Sequence, residues 1–364
     1  MTGSARMTGP DTRPAARPVA GKGDGRIHIR VVSDGTAGMR LQAVALAAAL
    51  QRARPDWTGD EFTVSPHRLI RALPRLAATV PGLPLYAATG DAALQRRPHA
   101  GRYPDILITC GRRMAGYALA LRRRARADGR DMKIVHIQDP RLPPALFDAL
   151  VVPRHDPARG PNVLVTTGSL NRLTLADIKT AMMEMPSRWL GTTRAMAVAV
   201  MLGGDNRRYR IDETMAGRMA DRLTAFADAT GALLLPVVSR RTPERLIERV
   251  AAALPPDRVM LPQKGEPNVY PGVLGMAQAV IVTADSVNMA SEAAITGKPV
   301  MIAPWRDAGP DNPSGESGRI RAFHDTMFAA RHTVPLTAAM PSGAFERLDE
   351  MDGLTDRLLA LLGH

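Results

Sequence analysis

The stretch "HIRVVSDGTAGMRLQAVALAAAL", His28–Leu50, decides the fold. It opens as a β-branched strand, passes Gly35 and Gly38, and enters an alanine-rich helix. Strand, glycine turn and helix in that order form the first unit of an open α/β sheet. In the turn, Ser33-Asp34-Gly35-Thr36-Ala37-Gly38, backbone amides at a helix start carry partial positive charge and favour anions. The glycines remove side chains that would block approach. The pattern is neither G-x-G-x-x-G nor a P-loop, and Asp34 would repel a phosphate. A plain turn capped by Ser33 or Asp34 is the competing reading.

Outward from this unit the alternation continues. "EFTVSPH", "PDILITCG", "KIVHIQDP", "ALVVPRHD" and "NVLVTTGS" read as strands, with "RRMAGYALALRRRARA" as a crossover helix. The segment 186–195, with a Pro, a Gly and a Trp and no strand period, reads as a linker. The pattern then restarts with the strand "AMAVAVMLGGDN". A helix follows, opening on Asp212 and closing at Gly231, then "ALLLPVVS" and a helix with Thr242 as N-cap and Pro243 in its first turn. "RVMLPQKG", "AVIVTADS" and "KPVMIAPW" complete a second set of strands. The expectation is an α/β chain of two Rossmann-like parallel sheets in tandem. Residues 1–25 form a disordered tail, 26–185 a first domain and 196–364 a second, with the last helix folding back on the first. Ligands of such sheets lie at the carboxyl ends of the strands, so two such ends would face one cleft.

Composition bounds the partners. The 364 residues carry a formal net charge of +13, which suits an anionic ligand or membrane face. No zinc knuckle or RNA-binding aromatic motif focuses that charge, so nucleic acid is not the expected partner. The single cysteine, Cys110, makes no internal disulfide and reads as a small buried residue. No stretch has the roughly 20 apolar residues of a bilayer span. A cytoplasmic protein, at most peripheral on the inner membrane face, is expected.

Two further turns carry chemistry. In "MLGGDNRRYR", Gly203 and Gly204 end a strand and precede Asp205, Asn206 and Arg207. An arginine there can pair bidentately with phosphate oxygens. In "TADSVNMASEAAITGKPV", Asp285 and Ser286 end a strand, Ser286 can cap the next helix, and Glu292 lies six residues on. A carboxylate in that place can accept both ribose hydroxyls while the Ser286 loop holds a diphosphate. Asp34, Asp139 and His155, all at strand ends, are the candidate catalytic base. His136 alternates with apolar neighbours and reads as a core histidine. No spacing resembles a metal site, so none is expected, and no cofactor beyond a nucleotide-sugar substrate.

"SDGTAGMRLQA", "PDILITCGRR", "IVHIQDPRLPPALFDALVVPRHD", "GPNVLVTTGSLNRLT", "VMLGGDNRRY" and "VTADSVNMASEAAITGKPV" occur in an order that resembles the mitochondrial-fission elongated-mitochondria family, over about residues 27–335. Bacterial members carry glycosyltransferase descriptions; eukaryotic members recruit a dynamin-like protein in organelle division. The resemblance implies a GT-B-like architecture, two Rossmann-like domains about a cleft. It implies that Glu292 grips the ribose, that Ser286 and Asn288 lie near the diphosphate, and that Gly203, Gly204 and Asp205 border the pocket. Ser33, Gly35, Thr36 and Gly38 would then face the cleft from the acceptor side. The implied activity is metal-independent transfer from a nucleotide-sugar to a saccharide or lipid-linked acceptor. A non-catalytic recruiter and a nucleotide-sugar epimerase are the alternatives; the cofactor signature of an epimerase of the Rossmann type is absent.

Overall fold

The computed structural model describes residues 26–66, 88–90, 103–190, 196–206, 210–263, 266 and 268–364. The tail 1–25 and Arg207 lie outside them. Seven strands form the first sheet: β1 His28–Ser33, β2 Thr58–Pro66, β3 Ala88–Gly90, β4 Ile106–Cys110, β5 Lys133–Ile137, β6 Ala149–Pro153 and β7 Val163–Thr166. Their order is β3-β2-β1-β4-β5-β6-β7, all neighbours parallel except the antiparallel edge pair β2–β3. Alternate residues feed opposite faces. Ile29, Val31, Ile106 and Ile108 pack under α1 (Ala37–Ala53) and α10 (Met351–Leu362). Val32, Leu107, Ile134 and Leu150 pack under α2 (Arg112–Ala127).

The second sheet holds β8 Ala197–Leu202, β9 Leu233–Val238, β10 Ala279–Thr283, β11 Val300–Ala303 and β12 Val334–Pro335, in the order β12-β11-β10-β8-β9 and parallel throughout. One face is covered by α5 (Glu213–Thr230) and α6 (Glu244–Ala253). The other is covered by α7 (Tyr270–Met276), α8 (Val287–Ala294) and α9 (Gly318–Ala329). Strand order reverses between β1 and β4 in one sheet and between β8 and β10 in the other. Such reversals open a crevice at the carboxyl ends of the strands, and both crevices carry a glycine turn.

Four sequence expectations change. "RVMLPQKG" contributes a single bridge, Val259 to Leu234, rather than a strand. Thr242 does not cap α6; its hydroxyl donates to the Leu202 carbonyl at the end of β8 (2.8 Å), and Pro243 occupies the cap position. Neither Ser33 nor Asp34 is the cap of α1; Thr36 is, with no side-chain bond. The stretch read as a linker carries α4 (Ser187–Leu190) and buries Trp189 fully in the second core. Immediately before it, α3 (Leu175–Met183) packs on α7 so closely that Met182 fills the space beside Gly275. The chain therefore joins the second body before residue 186. The last helix, α10, inserts Leu354, Leu358, Leu359 and Leu362 into the first core.

Candidate functional site

Each glycine turn is held by a carboxylate below it. In the first, Asp34 accepts from the Thr36 amide (3.0 Å) and pairs with Arg113 of α2 (3.3 Å). Its side chain is 1% exposed, so it braces the turn rather than repelling a ligand. Gly35 takes φ +76°, a conformation that a side chain resists. Ser33 accepts from the Gly35 amide (3.4 Å). In the second, Gly203 donates to the Thr283 hydroxyl (2.8 Å) and Gly204 to the Asp285 carboxylate (3.4 Å). Asp285 also accepts from Trp305 Nε1 (2.9 Å) and the Thr283 hydroxyl (2.8 Å), and none of its side chain is exposed. It is therefore scaffold to the turn, with no face left for a nucleotide. A Cβ on Gly203 would overlap that carboxylate, and one on Gly204 would overlap the Arg241 carbonyl. Asp205 accepts from the Ile211 amide (2.9 Å), and the Asn206 side-chain amide donates to the Gly204 carbonyl (3.3 Å); both secure the same loop.

The two helix starts meet. Ser286 caps α8 by accepting from the Met289 amide (3.3 Å). Asn288, in the first turn of α8, reaches α1: a Cβ on Gly38 would lie 3.3 Å from its Nδ2. Beside this crossing is a cavity of about 320 Å³. The first half lines it with Thr36, Gly38, Met39, Gln138, His155 and Asp156, and the second half with Asn288, Arg319 and Phe323. Behind it, the Ser169 amide donates to Ser291 Oγ of α8 (2.9 Å).

Of the three candidate bases, His155 alone lines this cavity. Its Nδ1 is buried with no partner among the described residues. Its ring meets Phe323 edge-on at 6.3 Å. Burial pushes the imidazole below its ordinary value of 6.5, against the opposing pull of Asp156, so the neutral, proton-accepting form is favoured. Asp139 accepts from the Arg141 amide (2.7 Å) and pairs with its guanidinium (3.2 Å). His136 is a core residue, bonded to Thr109 (2.8 Å) and held uncharged by burial, its value pushed down to about 3.

Glu292 lies on α8 outside the lining of this cavity, as do Gly203, Gly204, Asp205, Asn206 and Asp285, which gather at the β8–β10 crevice of the second sheet. Its carboxylate accepts from the Tyr270 hydroxyl (2.5 Å) and is half-buried; burial raises it above the usual 4.5, and the tyrosine bond opposes that rise. The sequence reading missed Tyr270, Phe323 and Arg319. Arg319, from α9, pairs with buried Asp156 across the cleft (3.0 Å). Tyr270 has a trace in sequence, a lone aromatic before Pro271 at a helix start; Arg319 has none, because its partner is remote in the chain. Among the described residues no three His, Cys, Asp or Glu gather as a metal site. No helix there is long and apolar enough to cross a membrane.

Comparison with known proteins fits this geometry. The family described as Mitochondrial fission ELM1 matches residues 37–362. The mitochondrial fission protein ELM1 of Arabidopsis thaliana is 28% identical over 263 residues, 64% of this chain and 60% of the plant protein. The chain thus spans less than two thirds of that relative's length. An uncharacterized Rickettsia prowazekii protein, RP120, is 26% identical over 313 residues, 76% of this chain and 83% of its own. Among solved structures, Staphylococcus aureus MnaA in complex with UDP shares the fold at a TM-score of 0.52 and 13% identity, covering 92% of this chain and 95% of that one. The UDP-GlcNAc 2-epimerase of Methanocaldococcus jannaschii does so at 0.51 and 12%, covering 93% and 100%. The architecture is GT-B-like: two Rossmann-like domains whose sheets face a common cleft.

Proposed function

We propose that this chain, which belongs to the Mitochondrial fission ELM1 family, is a glycosyltransferase that takes a sugar from a nucleotide-sugar on its second half and passes it to an acceptor hydroxyl on its first. The observation that carries the reading is the cavity between the halves, with His155 on one wall and Asn288, at the start of α8, on the other. The nucleotide lies along the β8–β10 crevice. Glu292 accepts the ribose hydroxyls, its carboxylate oriented by Tyr270. The α8 amides near Ser286 and Asn288, beside the Gly203–Gly204 turn, receive the diphosphate. His155 takes the proton from the acceptor hydroxyl as that oxygen bonds to the anomeric carbon. The bond from that carbon to the diphosphate breaks, and the diphosphate leaves with the electron pair. That S. aureus MnaA was solved with UDP supports a nucleotide ligand on this fold.

The test is a thermal-shift screen of the full chain against UDP-, GDP-, ADP- and CMP-sugars, with Glu292→Ala as control. One nucleotide class should raise the melting temperature of the wild type and not of the variant. No shift with any of them overturns the reading in favour of a non-catalytic recruiter. A shift with oxidised nicotinamide dinucleotide alone overturns it in favour of an epimerase.

A further inference from the structure

The carboxyl ends of β4, β5 and β6, neighbours in the first sheet, gather an unequal set of charges. Asp139 and Asp156 lie together there, the Asp139 amide donating to the Asp156 carboxylate (3.2 Å). Each carboxylate already has one guanidinium: Arg141 on Asp139 (3.2 Å) and Arg319, from the opposite half, on Asp156 (3.0 Å). Arg112, the first residue of α2, is a third cation beside them, exposed and without a carboxylate of its own among the described residues. Its neighbour Arg113 is no relief, being turned to Asp34 (3.3 Å). The crowding is felt at Arg112: partial burial, then the like charges of Arg319 and Arg141, lower its proton affinity, with Asp139 and Asp156 opposing. Three arginines thus share two carboxylates, and the surplus charge has no partner among the described residues.

The cluster borders the cavity, because Asp156 and Arg319 belong to its lining. Beside them the cavity wall is apolar, formed by Met39, Val151, Leu170 and Phe323. A ligand matching both features has an apolar portion next to an anion. Guanidinium forks match the oxygens of a phosphate better than a single carboxylate can, since several forks can each take a pair of oxygens. The donor diphosphate, at α8 on the other wall, leaves this cluster free. We propose that Arg112, Arg141 and Arg319 bind a phosphate ester carried by the acceptor, which the adjoining apolar wall receives. The site itself stands on the charge imbalance; only the word acceptor rests on the transferase reading above.

The test uses the full chain without nucleotide, titrated calorimetrically with octyl phosphate, glycerol 1-phosphate and the neutral octyl glucoside. Octyl phosphate should bind, and octyl glucoside should not. Arg112→Gln should weaken octyl phosphate binding tenfold or more, and Arg319→Gln should act in the same direction. Arg218→Gln, which removes the same charge from an exposed pair with Asp307, should change it less than twofold. Arg112 is exposed and has no ion-pair partner among the described residues, so its variant should keep the wild-type melting temperature. Octyl phosphate should bind more tightly than glycerol 1-phosphate; equal binding would overturn the role given to the apolar wall. The proposal is overturned if neither phosphate binds, or if Arg112→Gln and Arg218→Gln bind octyl phosphate alike. Binding of UDP to Arg112→Gln should stay within twofold of wild type. Loss of phosphate binding in that variant, in a protein that binds no nucleotide-sugar, would retain this site and refute the donor assignment alone.

Discussion

Replacing Glu292 by Gln should raise stability and abolish most donor binding at once. The carboxylate is half-buried on α8, and burial lifts it above its ordinary 4.5 despite the Tyr270 hydroxyl that donates to it at 2.5 Å. A raised acid binds its proton more tightly in the folded than in the unfolded chain. As pH rises from 4.5 through the raised value, the unfolded chain releases its proton first and stability is lost. Glutamine has no titrating proton there, and its carbonyl still accepts from Tyr270. The variant should therefore match the wild type near pH 4.5 and melt above it at pH 7, with about 1.4 kcal/mol for each unit of lift. Binding should move the other way. Two charge-assisted bonds to the ribose are worth about 1.5–3 kcal/mol each, and an amide with one acceptor oxygen replaces them incompletely. A net loss of about 2–3 kcal/mol weakens the nucleotide-sugar about 30- to 150-fold. Melting curves from pH 4.5 to 8, paired with calorimetric titration of the sugar nucleotide found in the screen, measure both. Affinity within threefold of wild type, or a melting temperature below wild type at pH 7, would refute the assignment of Glu292 as a strained ligand.

Three further outcomes are expected. Gly204→Ala should destabilise by about 3 kcal/mol or more in denaturant titration, because its Cβ meets the Arg241 backbone; Gly309→Ala, with open space around it, should be near neutral. Glu350 accepts from the Thr167 amide (2.8 and 2.9 Å) and the Gly168 amide (3.0 Å), so Glu350→Ala should cost about 2–3 kcal/mol and speed hydrogen exchange at those two amides, just after β7, before the amides of β7 itself. His155→Ala should lower kcat by about 10²–10⁴ with little change in donor KM. Because burial lowers His155, the wild-type rate should be flat from pH 6.5 upward and fall only below it; an acid limb centred above 6.5 would count against His155 as the base.

What the sequence disclosed was whatever depends on neighbours in the chain. Gly35, Gly203 and Gly204 stand out because a missing Cβ between a strand and a helix has few other uses. Ser286 and Asp212 could be recognised as caps because a cap bonds an amide three residues on, and both do so. Trp189 was read as linker because its segment has no period; its burial depends on α7, far along the chain. Thr242 has the residue type of a cap, yet a carbonyl at the end of β8 offered its hydroxyl a competing partner. Asp34 looked hostile to an anion until Arg113 was seen to neutralise it from α2. In each miss, a partner distant in sequence outweighed the local preference.

The same long-range pairings narrow the chemistry. Around the cleft, Asp34 is engaged by the Thr36 amide and Arg113, Asp139 by the amide and guanidinium of Arg141, and Asp156 by the Asp139 amide and Arg319. Each carboxylate is thus paired with a guanidinium, which favours its charged form and lowers its strength as a base, although Asp156 Oδ1 accepts no hydrogen bond among the described residues. His155 is the cleft-lining candidate left, with an uncommitted ring nitrogen and an environment that keeps it neutral. The arginines that silence the acids also explain why so acid-rich a set of strand ends would attract an anion rather than a cation. Arg319 adds a mechanical consequence, since it belongs to the second half and its partner to the first. Asp156 is buried while Arg319 is partly exposed, so a ligand anion that competes for this guanidinium must also leave Asp156 satisfied, which couples binding in the cleft to the contact between the halves.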